Sequence, residues 1–201
     1  MEETPSNTSF NMDCFSTNPQ VLGSVLEHHR PYLRMLARAR IHQDLRSKLD
    51  PSDVVQEVCM EAVRQIQLFR GTSKAEFAGW LRGILADRIA KNARRFLGTQ
   101  QRDIQLEKSL QQQLDETSGN LESFLDQNSR SPSAVAEWNE TTLSLAQAIE
   151  SLPDDYQQVV ILRNLQGKSF REVADALNRS VDSVEKLWIR ALVKLKQAMN
   201  G

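Results

Sequence analysis

The sequence predicts an all-α fold made of two small helical domains joined by a flexible acidic linker. Its 201 residues include only 8 glycines, 6 prolines and 6% aromatic residues, which favours helices over a β-sandwich or barrel. Apolar residues recur at helical spacing in two stretches, residues 21–98 and 135–201, each long enough for one small domain. Residues 99–134 between them are rich in Gln, Ser, Asp and Glu. Residues 1–20, polar and acidic, are predicted to be a disordered tail.

The first domain contains a helix start at Asp50-Pro51-Ser52-Asp53. Aspartate is a favoured N-cap, proline is favoured at the first helical position, and a further acid suits the positive end of the helix. Apolar positions at helical spacing follow and predict an amphipathic helix that ends by Gly71. These positions are Val54, Val55, Val58, Cys59, Ala62, Val63 and Ile66.

The next helix opens with the capping box Ser73-Lys74-Ala75-Glu76 and is predicted to end at Gly98. One side of it should be buried and the other cationic. The buried stripe comprises Phe77, Trp80, Leu81, Ile84, Leu85, Ile89, Ala93 and Phe96. The polar side comprises Arg82, Lys91, Asn92 and Arg95, with Arg88 and Arg94 at its margins.

The linker offers little apolar surface to bury. The run Gln111-Gln112-Gln113 and the polar stretch at 115–120 are typical of a solvated segment. Leu106, Leu110 and Leu114 are compatible with one transient helix at most.

The second domain ends in a predicted helix-turn-helix. Pro153 opens a helix that ends at Gly167, and Ser169-Phe170-Arg171-Glu172 is a second capping box. A short helix then reaches the turn Asn178-Arg179-Ser180, and a longer basic helix follows. Such a second helix fits the DNA major groove, which is about 12 Å wide. Plain helical hairpins share this pattern, so the segment alone leaves DNA binding open. The positions expected to face inward are Val184, Leu187, Trp188, Ala191, Leu192, Leu195 and Met199.

The net charge of -1 conceals an uneven distribution. Residues 79–102 hold six basic residues and one acidic residue, and residues 168–201 hold seven basic and four acidic. Residues 103–155 hold eleven acidic and two basic residues. Two basic blocks on separate domains favour a polyanionic partner over ordinary solvated helix faces.

An enzyme is disfavoured, and no catalytic residue, metal site or cofactor is expected. His28, His29 and His42 lack metal-ligand spacing with each other or with Cys59, and neither a Gly-rich phosphate loop nor a nucleophile elbow occurs. The adjacent histidines are expected at the surface or as caps. Cys14 and Cys59 form no Cys-x-x-Cys pair, which favours the reducing cytoplasm. No apolar run is long enough for membrane insertion.

Five stretches resemble the sigma-70 family of bacterial transcription factors. Residues 49–58 (LDPSDVVQEV) resemble the polymerase-binding segment, and residues 77–86 (FAGWLRGILA) with Asn92, Arg94 and Arg95 resemble the helix for the -10 promoter element. The C-terminal motifs at 152–163, 172–174 and 188–192 resemble the domain for the -35 element. The chain is short, as members of the extracytoplasmic-function (ECF) group are. The sequence around Pro31-Tyr32-Leu33, 48–53 and 102–104 resembles a planctomycete subgroup.

The resemblance implies region 2 at 21–98, region 4 at 135–201, and a role in promoter-specific transcription initiation. The implied partners are promoter DNA, core RNA polymerase through its largest-subunit clamp and its flap, and an anti-sigma protein. The implied polymerase-binding residues are Asp50, Asp53, Val54, Gln56 and Glu57. The implied -10 residues are Trp80, Arg82, Arg88, Lys91, Asn92, Arg94 and Arg95. The implied -35 residues are Arg179, Ser180, Asp182, Ser183, Lys186 and Arg190.

The sequence departs from the common family pattern at Asn178, where glycine is frequent, and at Glu185 and Leu187, where Lys and Arg are frequent. The -35 preference of a relative therefore does not transfer. Trp80 and Trp188 each lie among the apolar positions of their helix, so we expect core packing for both rather than DNA contact.

Two other protein classes remain open from the residues alone. A helix-turn-helix repressor or activator would bind a symmetric site tightly without polymerase. A helical adaptor that binds polymerase without touching DNA would be indifferent to charge reversal at Arg94 and Arg95. The basic helix and the Asp-Pro-Ser-Asp helix start favour the sigma interpretation over both.

Overall fold

The structure, a computed structural model, describes residues 18–41, 49–97, 104–128 and 138–200. All the regular secondary structure in these ranges is helical and none of it is strand, which confirms the all-α prediction. Residues 1–17 of the predicted tail, Gly98, and both ends of the predicted linker lie outside the described residues. The helices are α1 (Pro19–Arg40), α2 (Pro51–Gln65), α3 (Lys74–Leu97), α4 (Ile104–Asn128), α5 (Trp138–Glu150), α6 (Asp154–Val160), α7 (Phe170–Leu177) and α8 (Val181–Asn200).

Helices α1, α2 and α3 form an N-terminal bundle around fully buried side chains such as Leu33, Val54 and Phe77. The predicted helix starts are confirmed. The Asp50 side chain accepts a hydrogen bond from the Ser52 backbone N–H at 2.7 Å. At the start of α3, Glu76 accepts from the Ser73 N–H while Ser73 Oγ accepts from the Glu76 N–H. These local bonds set where the helices begin, and apolar burial sets how they pack.

Helix α4 corrects the prediction of a flexible linker over its own residues, because Ile104–Asn128 is a helix of 25 residues. Leu110, Leu114 and Leu121 are buried, and the helix that carries them contacts α1 and α3 of the N-terminal bundle as well as α5 and the turn Ile161–Leu165. Polar side chains fill the rest of the contact: Tyr32 Oη donates to Ser118 Oγ at 2.9 Å, and Thr117 is wholly buried. Three buried leucines and hydrogen-bonded polar side chains therefore hold α4 in the fold. The polar composition of the segment did not predict this packing.

The C-terminal helices α5 to α8 form a second bundle that ends in the helix-turn-helix. Helix α6 continues into a π-helical turn, Ile161–Leu165, where the Gln166 N–H donates to the Ile161 carbonyl. Gly167 then takes a positive φ of 68°, and the Lys168 N–H closes back on the Leu162 carbonyl. The second capping box, between Ser169 and Glu172, is confirmed in both directions.

The two bundles touch through α1. The guanidinium of Arg34 binds both carboxylate oxygens of Glu150, and Arg38 donates to the side-chain oxygen of Gln157. Gln157 in turn donates to the carbonyls of Glu150 and Leu152, so the contact is a connected polar network. Fork-shaped arginine pairs of this kind fix orientation as well as contributing energy.

In α1 and α2, His29 and Val63 each lie on the opposite side of the helix from the one predicted. His29 is buried, because it lies three residues after Leu26 and four before Leu33 on the inner face of α1. Its Nδ1 bonds to the Val25 carbonyl at 2.7 Å, and burial lowers the pKa of His29 to about 4. Val63 was placed on the buried side of α2 but is 52% exposed.

Candidate nucleic-acid interface

Two of the predicted -10 cations are held by carboxylates of α4. Arg82 Nε donates to Asp115 Oδ1 at 2.6 Å, and Arg94 Nη1 donates to Glu107 Oε1 at 3.0 Å. Arg82 also donates to the hydroxyl of Tyr32 at 2.9 Å. Both arginine side chains are only 15% exposed. The sequence placed Arg82 on the open side of α3, and α4 covers it.

The remaining cations of α3 border a groove of about 470 Å³ between α2 and α3. Lys91 and Arg95 are exposed, whereas Arg88 lies against Glu61 with a closest separation of 3.2 Å. Asn92 was predicted to point outward but is buried, because it continues the inner stripe one turn beyond Ile89. Its amide nitrogen donates to Glu57 at 3.3 Å and to the Arg88 carbonyl at 3.1 Å.

Trp80 belongs to an aromatic cluster. Its ring centroid lies 5.1 Å from that of Phe69 and 5.6 Å from that of Phe77. The indole is half-buried and packs against the core, as its place on the apolar stripe predicts. A base could stack only on the part of the ring that this packing leaves exposed.

The residues predicted to bind polymerase divide between the surface and the core. Asp50, Asp53 and Gln56 are exposed, and Glu57 is half-buried at its contact with Asn92. Val54 is wholly buried, which corrects its assignment as a contact residue: it faces the bundle interior one position beyond Asp53.

The exposed face of α2 is longer than the sequence analysis predicted. Met60 (47% exposed) and Val63 (52% exposed) follow Asp53 and Gln56 at spacings that place all four on one side of the helix. An acidic N-terminal half and an apolar C-terminal half therefore share one open surface. The helical spacing of Met60 and Val63 from Asp53 predicts that both lie on the exposed side. The sequence analysis missed this because it assigned the apolar positions of α2 to the core.

The helix-turn-helix has its predicted geometry. Asn178 takes the left-handed conformation with a φ of 52° at the end of α7, and Ser180 Oγ accepts from the Ser183 N–H at the start of α8. The predicted -35 residues cluster on the turn and the outer side of α8. Of these, Arg179, Ser180, Asp182, Lys186 and Arg190 are exposed, and Ser183 is half-buried.

Ion pairs already engage some of these side chains. Arg179 contacts Asp155 at 2.5 Å, and Lys186 contacts Asp182 at 2.7 Å. Both pairs are largely exposed and therefore weak, so they compete little with a phosphate. Trp188 packs on Phe170 and donates its indole N–H to Asn164 at 2.9 Å, which agrees with its expected place in the core. Within the described ranges, no helix combines the length and apolarity needed to cross a membrane.

The fold and the surface define a class: an all-helical protein with two modules, in which a helix-turn-helix presents exposed cations and a separate bundle carries a second basic helix. Comparison with known proteins assigns a family to each module. The family model for Sigma-70 region 2 matches residues 25–99, and that for Sigma-70 region 4 matches residues 142–195.

Relatives match the greater part of the chain. The ECF RNA polymerase sigma factor SigD of Mycobacterium tuberculosis is 29% identical over 175 residues, covering 87% of this chain and 75% of the relative. The ECF RNA polymerase sigma-E factor of Escherichia coli K12 is 32% identical over 152 residues, covering 71% and 70% respectively.

The chain belongs to the sigma-70 family, in its ECF group. It is a sigma factor that directs promoter-specific transcription initiation, with core RNA polymerase and promoter DNA as its partners. Sigma factors are not enzymes, so the chemistry of initiation belongs to the polymerase.

Proposed function

We propose that the exposed side of α2 binds core RNA polymerase through the clamp of the largest subunit. The observation that carries this proposal is the continuous open surface of Asp53, Gln56, Met60 and Val63. Exposed methionine and valine beside an acid supply what a protein interface needs, namely apolar area for affinity and a charge for orientation. Asp50 borders this surface but also caps α2, so it serves the fold as well.

The basic side of α3 meets the -10 element in this proposal, and α8 meets the -35 element. Lys91 and Arg95 are open to a phosphate backbone, and the groove beside them is lined by both signs of charge, which suits polar contacts to an unpaired base. On α8, Lys186 and Arg190 lie one turn apart on the exposed side, where a recognition helix contacts DNA.

Substitutions on α2 and α8 test this division, and the α8 substitutions serve as the control for polymerase binding. Asp53→Lys or Met60→Lys should weaken association with core polymerase roughly tenfold, because each alters the centre of the α2 surface. The double substitution Lys186→Ala and Arg190→Ala should leave that association unchanged and lower open-complex formation at a promoter with a -35 element.

Association is measured by fluorescence anisotropy of the labelled full-length protein with core polymerase, and promoter use by in vitro transcription. Asp53→Lys also places a positive charge at the positive end of α2, so circular dichroism must show that the helix content is kept. Met60→Lys carries no such penalty at a half-exposed site in the helix interior. Unchanged polymerase binding in both variants would refute the α2 interface.

Other parts of the proposal rest on the resemblance. They are contact of region 4 with the polymerase flap, membership of the planctomycete subgroup, and control by an anti-sigma protein. Action in the cytoplasm is proposed from the absence of a Cys-x-x-Cys pair. The domain limits at 21–98 and 135–201 belong to the proposal as well, with α4 assigned to the intervening segment.

A further inference from the structure

A cavity of about 510 Å³ lies where the two bundles meet. Its walls come from the end of α1, the start of α2, the middle of α4, the segment from α6 through the π-helical turn, and the end of α7. The described residues that line it include none of those assigned above to polymerase or DNA. Small-molecule sites commonly occupy about 300–1,000 Å³ and often lie between domains. The size and the position of this cavity therefore suit a small ligand.

The charge of the cavity lining is positive. Among the described residues that form it, Arg38, Arg40 and Lys168 are basic and Asp154 alone is acidic, which gives a net charge of +2. Asp154 lies 3.8 Å from Arg38. No ion pair within the described ranges includes Arg40 or Lys168, and Glu172 attracts Lys168 only from beyond ion-pair distance. Two cations at the cavity therefore have no carboxylate partner in the part of the chain that the structure describes.

Arg40 is the cation whose charge is least compensated. Its guanidinium is half-buried and binds neutral oxygens, donating to the Gln113 carbonyl at 2.6 Å and to the hydroxyl of Thr117. Its Nε–H is buried without a hydrogen-bond acceptor among the described residues. Burial lowers the pKa of Arg40 from its usual value, and the attraction of Glu116 offsets only part of that effect. An anion in the cavity would supply the missing negative charge.

The rest of the lining combines amide groups with apolar side chains. The glutamines that the argument uses are Gln113, Gln158 and Gln166, and the apolar residues are Ile161, Leu162 and Leu177. The side chain of Gln158 makes no hydrogen bond to any described residue, and both Gln158 and Leu177 are half-buried. An amide offers a donor and an acceptor to the edge of a planar heterocycle, while apolar groups pack on its face. The cavity therefore offers binding groups for a base as well as for an anion.

We propose that this cavity binds a nucleotide, with its phosphates at Arg40 and Lys168 and its base against Gln158 and Leu177. Inorganic triphosphate carries the same kind of charge without a base, so it separates recognition of the whole nucleotide from recognition of phosphate alone. The inference is independent of the roles proposed for α2, α3 and α8. Because the walls come from both bundles, a bound nucleotide also ties the two bundles together.

Isothermal titration calorimetry of the full-length protein with ATP and with inorganic triphosphate, in magnesium-free buffer, is the first test. We expect a micromolar Kd for ATP and a Kd roughly tenfold higher for triphosphate, since only ATP buries apolar ring surface. Equal Kd values would show that charge alone is recognised and would overturn the assignment to a nucleotide. Absence of binding at about 1 mM ATP would overturn the site itself.

A matched pair of lysine substitutions tests the phosphate position. Lys168→Gln removes one cavity cation and should raise the Kd for ATP roughly five- to tenfold, because it removes a charge-assisted contact at a half-exposed position. Lys196→Gln makes the same change in charge at an exposed position on α8 outside the cavity, and it should leave the Kd unchanged. Equal losses in the two variants would indicate a general charge effect and contradict the proposal.

Two further variants locate the ligand. Ala176→Phe fills the cavity without changing a charge and should abolish ATP binding while circular dichroism shows the helix content of the parent. Lys91→Gln tests the other cationic groove, between α2 and α3. Weaker ATP binding in Lys91→Gln together with normal binding in Lys168→Gln would place the ligand in that groove and refute the cavity site. The lysine comparison decides the matter even where Ala176→Phe does not fold.

Hydrogen exchange of the unsubstituted protein supplies an independent readout. On addition of ATP, backbone amides at residues 38–41 and 161–168 should exchange more slowly, because both walls of the cavity contact the ligand. Amides of α8 should exchange as before. Slowing confined to α2 and α3 would overturn the proposal.

Discussion

Replacement of Leu114 by alanine tests whether α4 belongs to the folded core. Leu114 is wholly buried, so the substitution removes about three buried carbon groups worth roughly 0.8 kcal/mol each. A cavity term adds to this loss, because the surroundings collapse only in part. Alanine gains a few tenths of a kcal/mol in helix propensity, which leaves an expected cost of about 3 kcal/mol.

The free energy of unfolding of the parent and of Leu114→Ala is measured by urea titration with circular dichroism at 222 nm. Gln112→Ala is the matched control, since Gln112 is exposed on the same helix and its replacement should change stability by less than about 0.5 kcal/mol. A flexible segment would make the two substitutions equivalent. Equal stability of the two variants would therefore refute the packing of α4 on the bundle.

Two further predictions concern His29 and Asn178. Burial lowers the pKa of His29 from 6.5 to about 4. Between pH 6.5 and pH 4, His29 is therefore protonated in the unfolded chain but neutral in the folded protein. Stability should fall by about 2 kcal/mol between pH 7 and pH 4.5 through this group, and urea titrations should show that part of the pH dependence missing in His29→Leu; parallel curves would contradict it. Asn178 has a φ of 52°, so Asn178→Ala should lower stability by about 1 kcal/mol and Asn178→Gly should not; a glycine variant less stable than the alanine variant in thermal melts would argue against this.

Local signals in the sequence were sufficient to place the helix starts. The capping boxes at Ser73 and Ser169 depend on residues three apart, so the chain carries them whatever the surroundings. The left-handed end of α7 at Asn178 follows in the same way from the turn preference of asparagine. These features required no knowledge of which helices meet.

Long-range partners decided what the sequence did not show. Composition marked 99–134 as a solvated segment, because Thr117 and Ser118 look like surface residues until Arg40 and Tyr32 are placed beside them. Burial of a polar residue becomes acceptable only when a partner satisfies it, and that partner is distant in the sequence.

The side of a helix on which a residue lies was harder to predict than the helix that contains it. His29 and Asn92 both continue an apolar stripe at a spacing of three, and in each case polarity was given more weight than position. Val54 and Val63 show the opposite error on α2, where both were treated as equivalent apolar positions although one is buried and the other open. Assigning each position by its angle around the helix, before considering its chemistry, would have corrected all four.

The ion pairs of Arg82 and Arg94 have a consequence for the ionic-strength dependence of promoter binding. A solvated cation that meets a phosphate displaces a condensed counterion, and each such contact steepens the plot of log K against log salt by about 0.9 for duplex DNA. In the proposed contact with the -10 element, exposed Lys91 and Arg95 each steepen the slope in this way. Arg82 and Arg94 are only 15% exposed and already hold a carboxylate, so they add to the slope only if they exchange that carboxylate for a phosphate.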